Sequence, residues 1–230
     1  MSIRFITDLH THLRKTRTIR DVPPMPGKSY PRFEQLELPQ TKPIIVPLSE
    51  TLAKRRSCSA AMTGDTLSLQ HVSDILGHSL AVRADKHRPH PSGGARYLLE
   101  TYILAFAVEG LQRASFHYNP QKHVLEHLWD LADEHVPSMF FQDSLGYCKN
   151  ASALIILTAM WERSFERYSS WSFELGFYEA GHVGQNILLT ATALGLASRP
   201  YGGYKEETIA TLLDLDQKRE QTVYAIALGN

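Results

Sequence analysis

Residues 177–196, FYEAGHVGQNILLTATALGL, decide the reading of the fold. Ala180, Val183, Ile187, Ala191 and Leu194 recur at three- and four-residue steps, the period of a helix. Leu188, Leu189, Ala193 and Leu196 make its other faces apolar too, and a helix apolar nearly all round is a buried one. Gly195 can take the left-handed conformation that ends it. His182, Gln185 and Asn186 place polar side chains on this helix; they either reach a ligand or fix packing and dimer contacts.

Working outward, the segment before this helix holds Leu154-Ile155-Ile156-Leu157 within Ser152 to Met160, short and apolar, as in a strand covered on both faces. Thr101 to Val108 and Ala114 to Tyr118 read as a strand and its return across a turn at Glu109-Gly110. Lys122 to Glu134 repeats Val124, Leu125, Leu128 and Leu131 at helical period. A helix over Ser68 to Leu80 has Thr66 or Ser68 as N-cap and Val72, Ile75, Leu76 and Leu80 on one face. Helical pattern also covers Leu48 to Arg56 and Glu206 to Leu213, and a strand over Val223 to Leu228 finishes the chain. Helices and strands mix without strict alternation, which predicts an α+β fold. Residues 1–46 read as a proline-rich arm, poorly structured in its own right, that wraps over the domain at 47–230.

The chain has 230 residues, 43% of them hydrophobic and 21% charged, enough for one large domain with a substantial core. Lys+Arg and Asp+Glu number 24 each, so the overall field favours neither nucleic acid nor an anionic membrane. No stretch reaches the roughly 18 apolar residues of a membrane span, and Arg4, Asp8, His10 and His12 break any signal-like start. Cys58 and Cys148 show neither metal-type nor framework spacing. These features predict a cytoplasmic protein.

Several short motifs admit chemistry. Arg55-Arg56-Ser57 offers two guanidiniums and a hydroxyl, which suit a phosphate, though a solvated basic helix end has the same composition. Pro91-Ser92-Gly93-Gly94-Ala95-Arg96 and Tyr201-Gly202-Gly203 let backbone approach a flat ligand, or are plain surface turns. His10 and His12 resemble the His-x-His pair that ends a strand in metal-dependent hydrolases. Such an enzyme needs further ligands from a barrel of about 250 residues, and a proline-rich arm follows instead. No metal site is expected.

An ordered set of fragments resembles the SagB-type azoline dehydrogenases, flavoenzymes of the nitroreductase-like fold, over about Lys28 to Asn230. The set is Lys28-Ser29-Tyr30-Pro31, Arg55-Arg56-Ser57, Pro91 to Tyr97 with Glu100, Phe116-His117-Tyr118, Glu179-Ala180-Gly181-His182 through Asn186, and Gly202-Gly203 before a Leu-Leu-Asp stretch. The resemblance implies a central, mostly antiparallel sheet packed with helices, in a homodimer with flavin sites at the interface. It implies FMN, held by Arg55, Arg56 and Ser57 at its phosphate and ribityl chain and flanked by Gly202 and Gly203. Pro91, Ser92 and Gly93 would come from the partner subunit, and Arg96 or Arg199 would compensate for basic phosphate ligands that this chain lacks. It also implies oxidation of thiazoline or oxazoline rings in a ribosomally made precursor peptide, beside a cyclodehydratase.

The family's Lys-Tyr base pair falls by position on Arg167-Tyr168, and a guanidinium cannot accept a proton at neutral pH. Either Tyr168 acts alone beside that cation, or the chemistry has changed. Ser59 stands where the family's start motif has a second basic residue, and the last strand ends at Asn230 without the basic phosphate ligand that many relatives carry beyond it. A general NAD(P)H-dependent reductase of nitro compounds or quinones, and a non-catalytic partner subunit, are the alternatives.

Overall fold

A computed structural model describes residues 3–16, 18–59, 61–132, 139 and 150–230. Its strands form one seven-stranded sheet in the order β1-β4-β3-β2-β5-β7-β6. The strands are β1 (Gln35–Glu37), β2 (Leu99–Ala105), β3 (Ala114–Asn119), β4 (Val124–Asp130), β5 (Ala153–Met160), β6 (Ala197–Tyr201) and β7 (Glu220–Gly229). Every neighbouring pair is antiparallel. The described helices are α1 (Ile3–Lys15), α2 (Leu48–Lys54), α3 (Leu69–Leu80), α4 (Glu162–Tyr168), α5 (Ser172–Ala193) and α6 (Glu206–Leu212). The α+β class and the antiparallel sheet match the reading of the sequence.

The two faces of the sheet carry separate cores. Ile103, Ile155, Leu157 and Ile226 meet Val72, Ile75, Leu76 and Leu80 of α3 and Val183, Ile187 and Ala191 of α5. Tyr102, Leu104, Leu154 and Ile156 point the other way, toward Ile209 and Ala210 of α6. Period-two alternation sends neighbouring side chains of one strand into different cores, which is why β2 is buried throughout. Each apolar side chain so covered contributes about 1.5–3 kcal/mol relative to exposure. Ser68 caps α3 as expected, its Oγ accepting from the His71 N–H at 3.1 Å. Among the described residues no helix is long and apolar enough to cross a membrane.

Three expectations need correction. Residues 124–130 form strand β4, not a helix: a strand covered on both faces also carries apolar residues at three-residue steps. The turn before it is built by Asn119, whose Oδ1 accepts from the N–H groups of Gln121 and Lys122. The first 46 residues contain regular structure. Residues 3–15 precede the first proline and form amphipathic α1, while residues 35–37 add edge strand β1 to β4. His10 and His12 therefore lie on a helix, where a two-residue step turns side chains to opposite sides. Finally, α5 is buried on one side only: Phe173, Phe177 and Tyr178 are 43%, 45% and 49% exposed. Cys148 and residues 133–134 of the expected helix lie outside the described residues.

Candidate active site

The loop that leads into β2 is shaped by one glycine. Gly94 has φ +60°, in the left-handed region, and a Cβ built on it would stand 2.3 Å from the Tyr168 hydroxyl. Only glycine lets the loop seat against Tyr168. Arg167 lies beside it, its Nε 3.3 Å from that same point and its guanidinium 5.4 Å from the Tyr168 ring centroid. The contact with Tyr168 holds Arg167 above its ordinary value, so this group stays protonated. Tyr168 is 9% exposed and packs edge-on against Trp171 at 5.8 Å.

Ser92 fixes the other end of the loop. Its Oγ donates to Glu179 Oε2 at 2.6 Å and accepts from the Tyr97 N–H at 2.8 Å. Glu179 comes from α5 and is 1% exposed, with His90 Nε2 3.6 Å from its other oxygen. Pro91 is exposed and Gly93 half-buried at the same turn. Arg96, 5% exposed, donates to the carbonyls of Val22 at one nitrogen and Pro23 at 2.7 Å from the other. Arg20 reaches the same place: its N–H donates to the Arg167 carbonyl at 2.9 Å, and Arg167 Nη1 donates back at 3.2 Å.

Arg55, Arg56 and Ser57 gather elsewhere. Arg55 ends α2, and neither guanidinium has an ion-pair partner among the described residues. Two unpaired cations and a hydroxyl fit an anion such as a phosphate. The next residue, Cys58, donates its N–H to Ser198 O, and Arg199 Nη1 donates to Cys58 O at 2.6 Å, so the basic segment runs beside the start of edge strand β6. Gly202 and Gly203 follow at the far end of β6, about 13 Å along it at strand rise. A Cβ on Gly202 would meet nothing within 4 Å. The Gly93–Gly94 loop shares this end of the sheet, but β5 and β7 intervene, and three strand steps make about 14 Å. The chain thus presents a basic-to-glycine strip along β6 and, apart from it, a loop seated on Tyr168.

The sequence reading left several motifs without a role, and the structure joins them in one buried ladder. His117 Nε2 and Nδ1 each lie 2.8 Å from a carboxylate, Glu100 and Glu126. Arg163 donates to the other oxygen of Glu100 and, at 3.3 Å, to the Tyr97 carbonyl, which ties the ladder to the loop. Lys28 Nζ bonds Glu220 at 2.6 Å and Tyr102 at 2.8 Å, while the N–H of Tyr30 donates to Glu126 at 3.0 Å. The cations Lys28, Arg163 and protonated His117 balance the carboxylates Glu100, Glu126 and Glu220. Burial opposes ionisation of Glu100, but His117 and Arg163 overcome it and hold the carboxyl at about 2. Burial likewise pulls His117 down, and the two flanking glutamates more than offset it. The signal available in the sequence was Glu100, a lone acid in an apolar strand.

Comparison with known proteins now adds to the geometry. The nitroreductase family model matches residues 52–230. MJ1384 of Methanocaldococcus jannaschii, named for the nitroreductases, is 29% identical over 188 residues, which cover 80% of this chain and 91% of that protein. The microcin B17-processing protein McbC of Escherichia coli is 28% identical over 138 residues, 57% of this chain and 50% of McbC. Among solved structures, a nitroreductase-type protein from Anabaena variabilis superposes with a TM-score of 0.76 at 22% identity, over 87% of this chain and 42% of that one. A chain of the E. coli microcin synthetase McbBCD complex, solved with truncated pro-microcin B17 bound, gives 0.70 at 20% identity over 99% and 92%. A Desulfovibrio desulfuricans protein solved with FMN gives 0.54 at 20% identity over 80% and 86%. With the family model spanning most of the chain and the sheet and helices superposing on its members, this protein belongs to the nitroreductase family.

Proposed function

We propose that this protein is an FMN-dependent dehydrogenase that oxidises thiazoline or oxazoline rings to thiazole or oxazole in a ribosomally made precursor peptide. The observation that carries the reading is the seating of Gly94 against the Tyr168 hydroxyl, with Arg167 alongside. Similarity to McbC, and to a chain of a microcin synthetase complex solved with its truncated pro-peptide bound, supports the substrate class and a cyclodehydratase partner. The FMN-bound relative supports the cofactor.

In this reading residues 47–230 are the flavin-binding unit and residues 1–46 its arm. Arg55, Arg56 and Ser57 neutralise and bind the phosphate end, and Gly202 and Gly203 leave room for the ring. Bound FMN would supply the two-electron acceptor for the hydride. Tyr168, reacting as its phenolate, would take the proton from the ring carbon and become the neutral phenol, and Arg167, a fixed cation, would favour that phenolate without accepting the proton itself. Pro91, Ser92 and Gly93 reach the flavin of a second copy, whose surface would cover Phe173, Phe177 and Tyr178. Arg96 serves the arm rather than the phosphate, since its terminal nitrogens already donate to Val22 and Pro23.

The test is the purified protein with added FMN and an azoline-bearing peptide. Flavin bands that survive desalting, and conversion of azoline to azole with oxygen consumed, are expected; a colourless protein after FMN loading would overturn the reading. A second reading, a general NAD(P)H-dependent nitro or quinone reductase, draws on Arg167 in the place of a base. Rapid bleaching of the flavin by NADPH, with no azoline oxidation, identifies it.

A further inference from the structure

The arm is anchored on both sides of a short free stretch. Arg96 holds Val22 and Pro23, while Glu100 Oε1 accepts the Lys28 N–H at 2.7 Å and Glu220 takes the Lys28 ammonium. Residues 24–27 between these anchors make no hydrogen bond among the described residues. They wall a cleft of about 720 Å³ whose opposite side is the turn after α3 and the Ala95–Tyr97 segment. That volume is within the usual range of roughly 300–1,000 Å³ for ligand sites.

The lining is one-signed. Arg83, Lys86, Arg88 and Arg96 face the cleft, and among the described residues no carboxylate does. Asp85, the acid in that turn, is not part of the lining, and its Oδ1 accepts from the His87 N–H at 3.0 Å. Arg96 is 5% exposed, and its Nε has no hydrogen-bond partner among the described residues. In a chain of zero formal net charge this concentration selects an anionic ligand. The opposite wall selects its type: among the described residues the amide and carbonyl groups of Met25 and Gly27 are unpaired, which suits the backbone of a peptide laid alongside.

We infer that this cleft binds an acidic segment of a peptide, and, resting on the function proposed above, that the segment flanks the ring to be oxidised. The cleft shares Ala95 and Arg96 with the loop seated on Tyr168, so it lies beside the loop that packs on the candidate base.

Fluorescence anisotropy with a labelled short peptide rich in aspartate, and its asparagine counterpart, tests this on the full chain. The aspartate peptide binds at least about tenfold more tightly, loses affinity as salt rises, and weakens by about tenfold or more on Arg83→Glu/Lys86→Glu. Both side chains are exposed, so an unchanged Tm shows that the variant is folded. Equal binding of the two peptides, indifference to charge reversal, or displacement of the label by NADPH overturns the proposal, the last in favour of a dinucleotide. Binding needs no turnover. Loss of azoline oxidation with binding intact would sink the reaction alone, and the converse would sink the cleft alone.

Discussion

At the scale of single residues, Tyr168 and Gly94 define each other: the hydroxyl occupies the space a side chain would need, and the left-handed backbone turns that space toward it. Removing the hydroxyl leaves the ring on Trp171 and under Arg167, so Tyr168→Phe tests chemistry rather than packing. Azoline oxidation is expected to fall about 10²-fold or more, with flavin content unchanged. Single-turnover reduction of bound flavin by substrate measures it directly. An unaltered rate would remove the base role from Tyr168.

At the scale of elements, the buried ladder pins the arm across β7, β2, β3 and β4, and it makes stability depend on pH in two directions. Glu100 and Glu126 are held below the ordinary carboxyl value of 4.5, so their contribution is present above that value and lost as pH falls, for Glu100 through about 2. His117 is held above 6.5, so its contribution is complete below 6.5 and lost as pH rises through its folded value. Tm should therefore peak between these limits and fall on the alkaline side. His117→Gln should lose that alkaline limb and cost about 3–5 kcal/mol, because two buried carboxylates lose their shared cation. A wild-type Tm that stays level from mildly acid to alkaline pH would contradict this. The elements themselves were legible where a single period sufficed: α3 and β5 fall where their patterns put them. β4 was not, since Leu125, Leu128 and Leu131 satisfy a helix and a doubly covered strand alike. Nor was the ladder, because Lys28, Glu100, His117 and Glu220 are far apart in sequence and only strand pairing brings them together.

At the scale of the whole molecule, the question is how a basic strip on β6 and a loop some strands away could serve one ligand. Within one chain they are separated, and the aromatic side of α5 is left uncovered. A two-fold dimer answers both points, by bringing the loop and Tyr168 of one copy to the strip of the other and burying Phe173, Phe177 and Tyr178. This makes a prediction about paired defects. An Arg55→Gln/Arg56→Gln chain lacks the strip but keeps Tyr168, and a Tyr168→Phe chain has the reverse. If sites are shared, a mixed dimer has one site with both defects and one with neither. Unfolding and refolding the two variants together should then restore about a quarter of wild-type activity, since about half the dimers are mixed and each carries one intact site. If each chain builds its own site, every site in the mixture keeps a defect and activity stays at the level of the separate variants. The refolded mixture, assayed beside each variant refolded alone, therefore decides whether a working site takes its strip and its Tyr168 from one chain or from two.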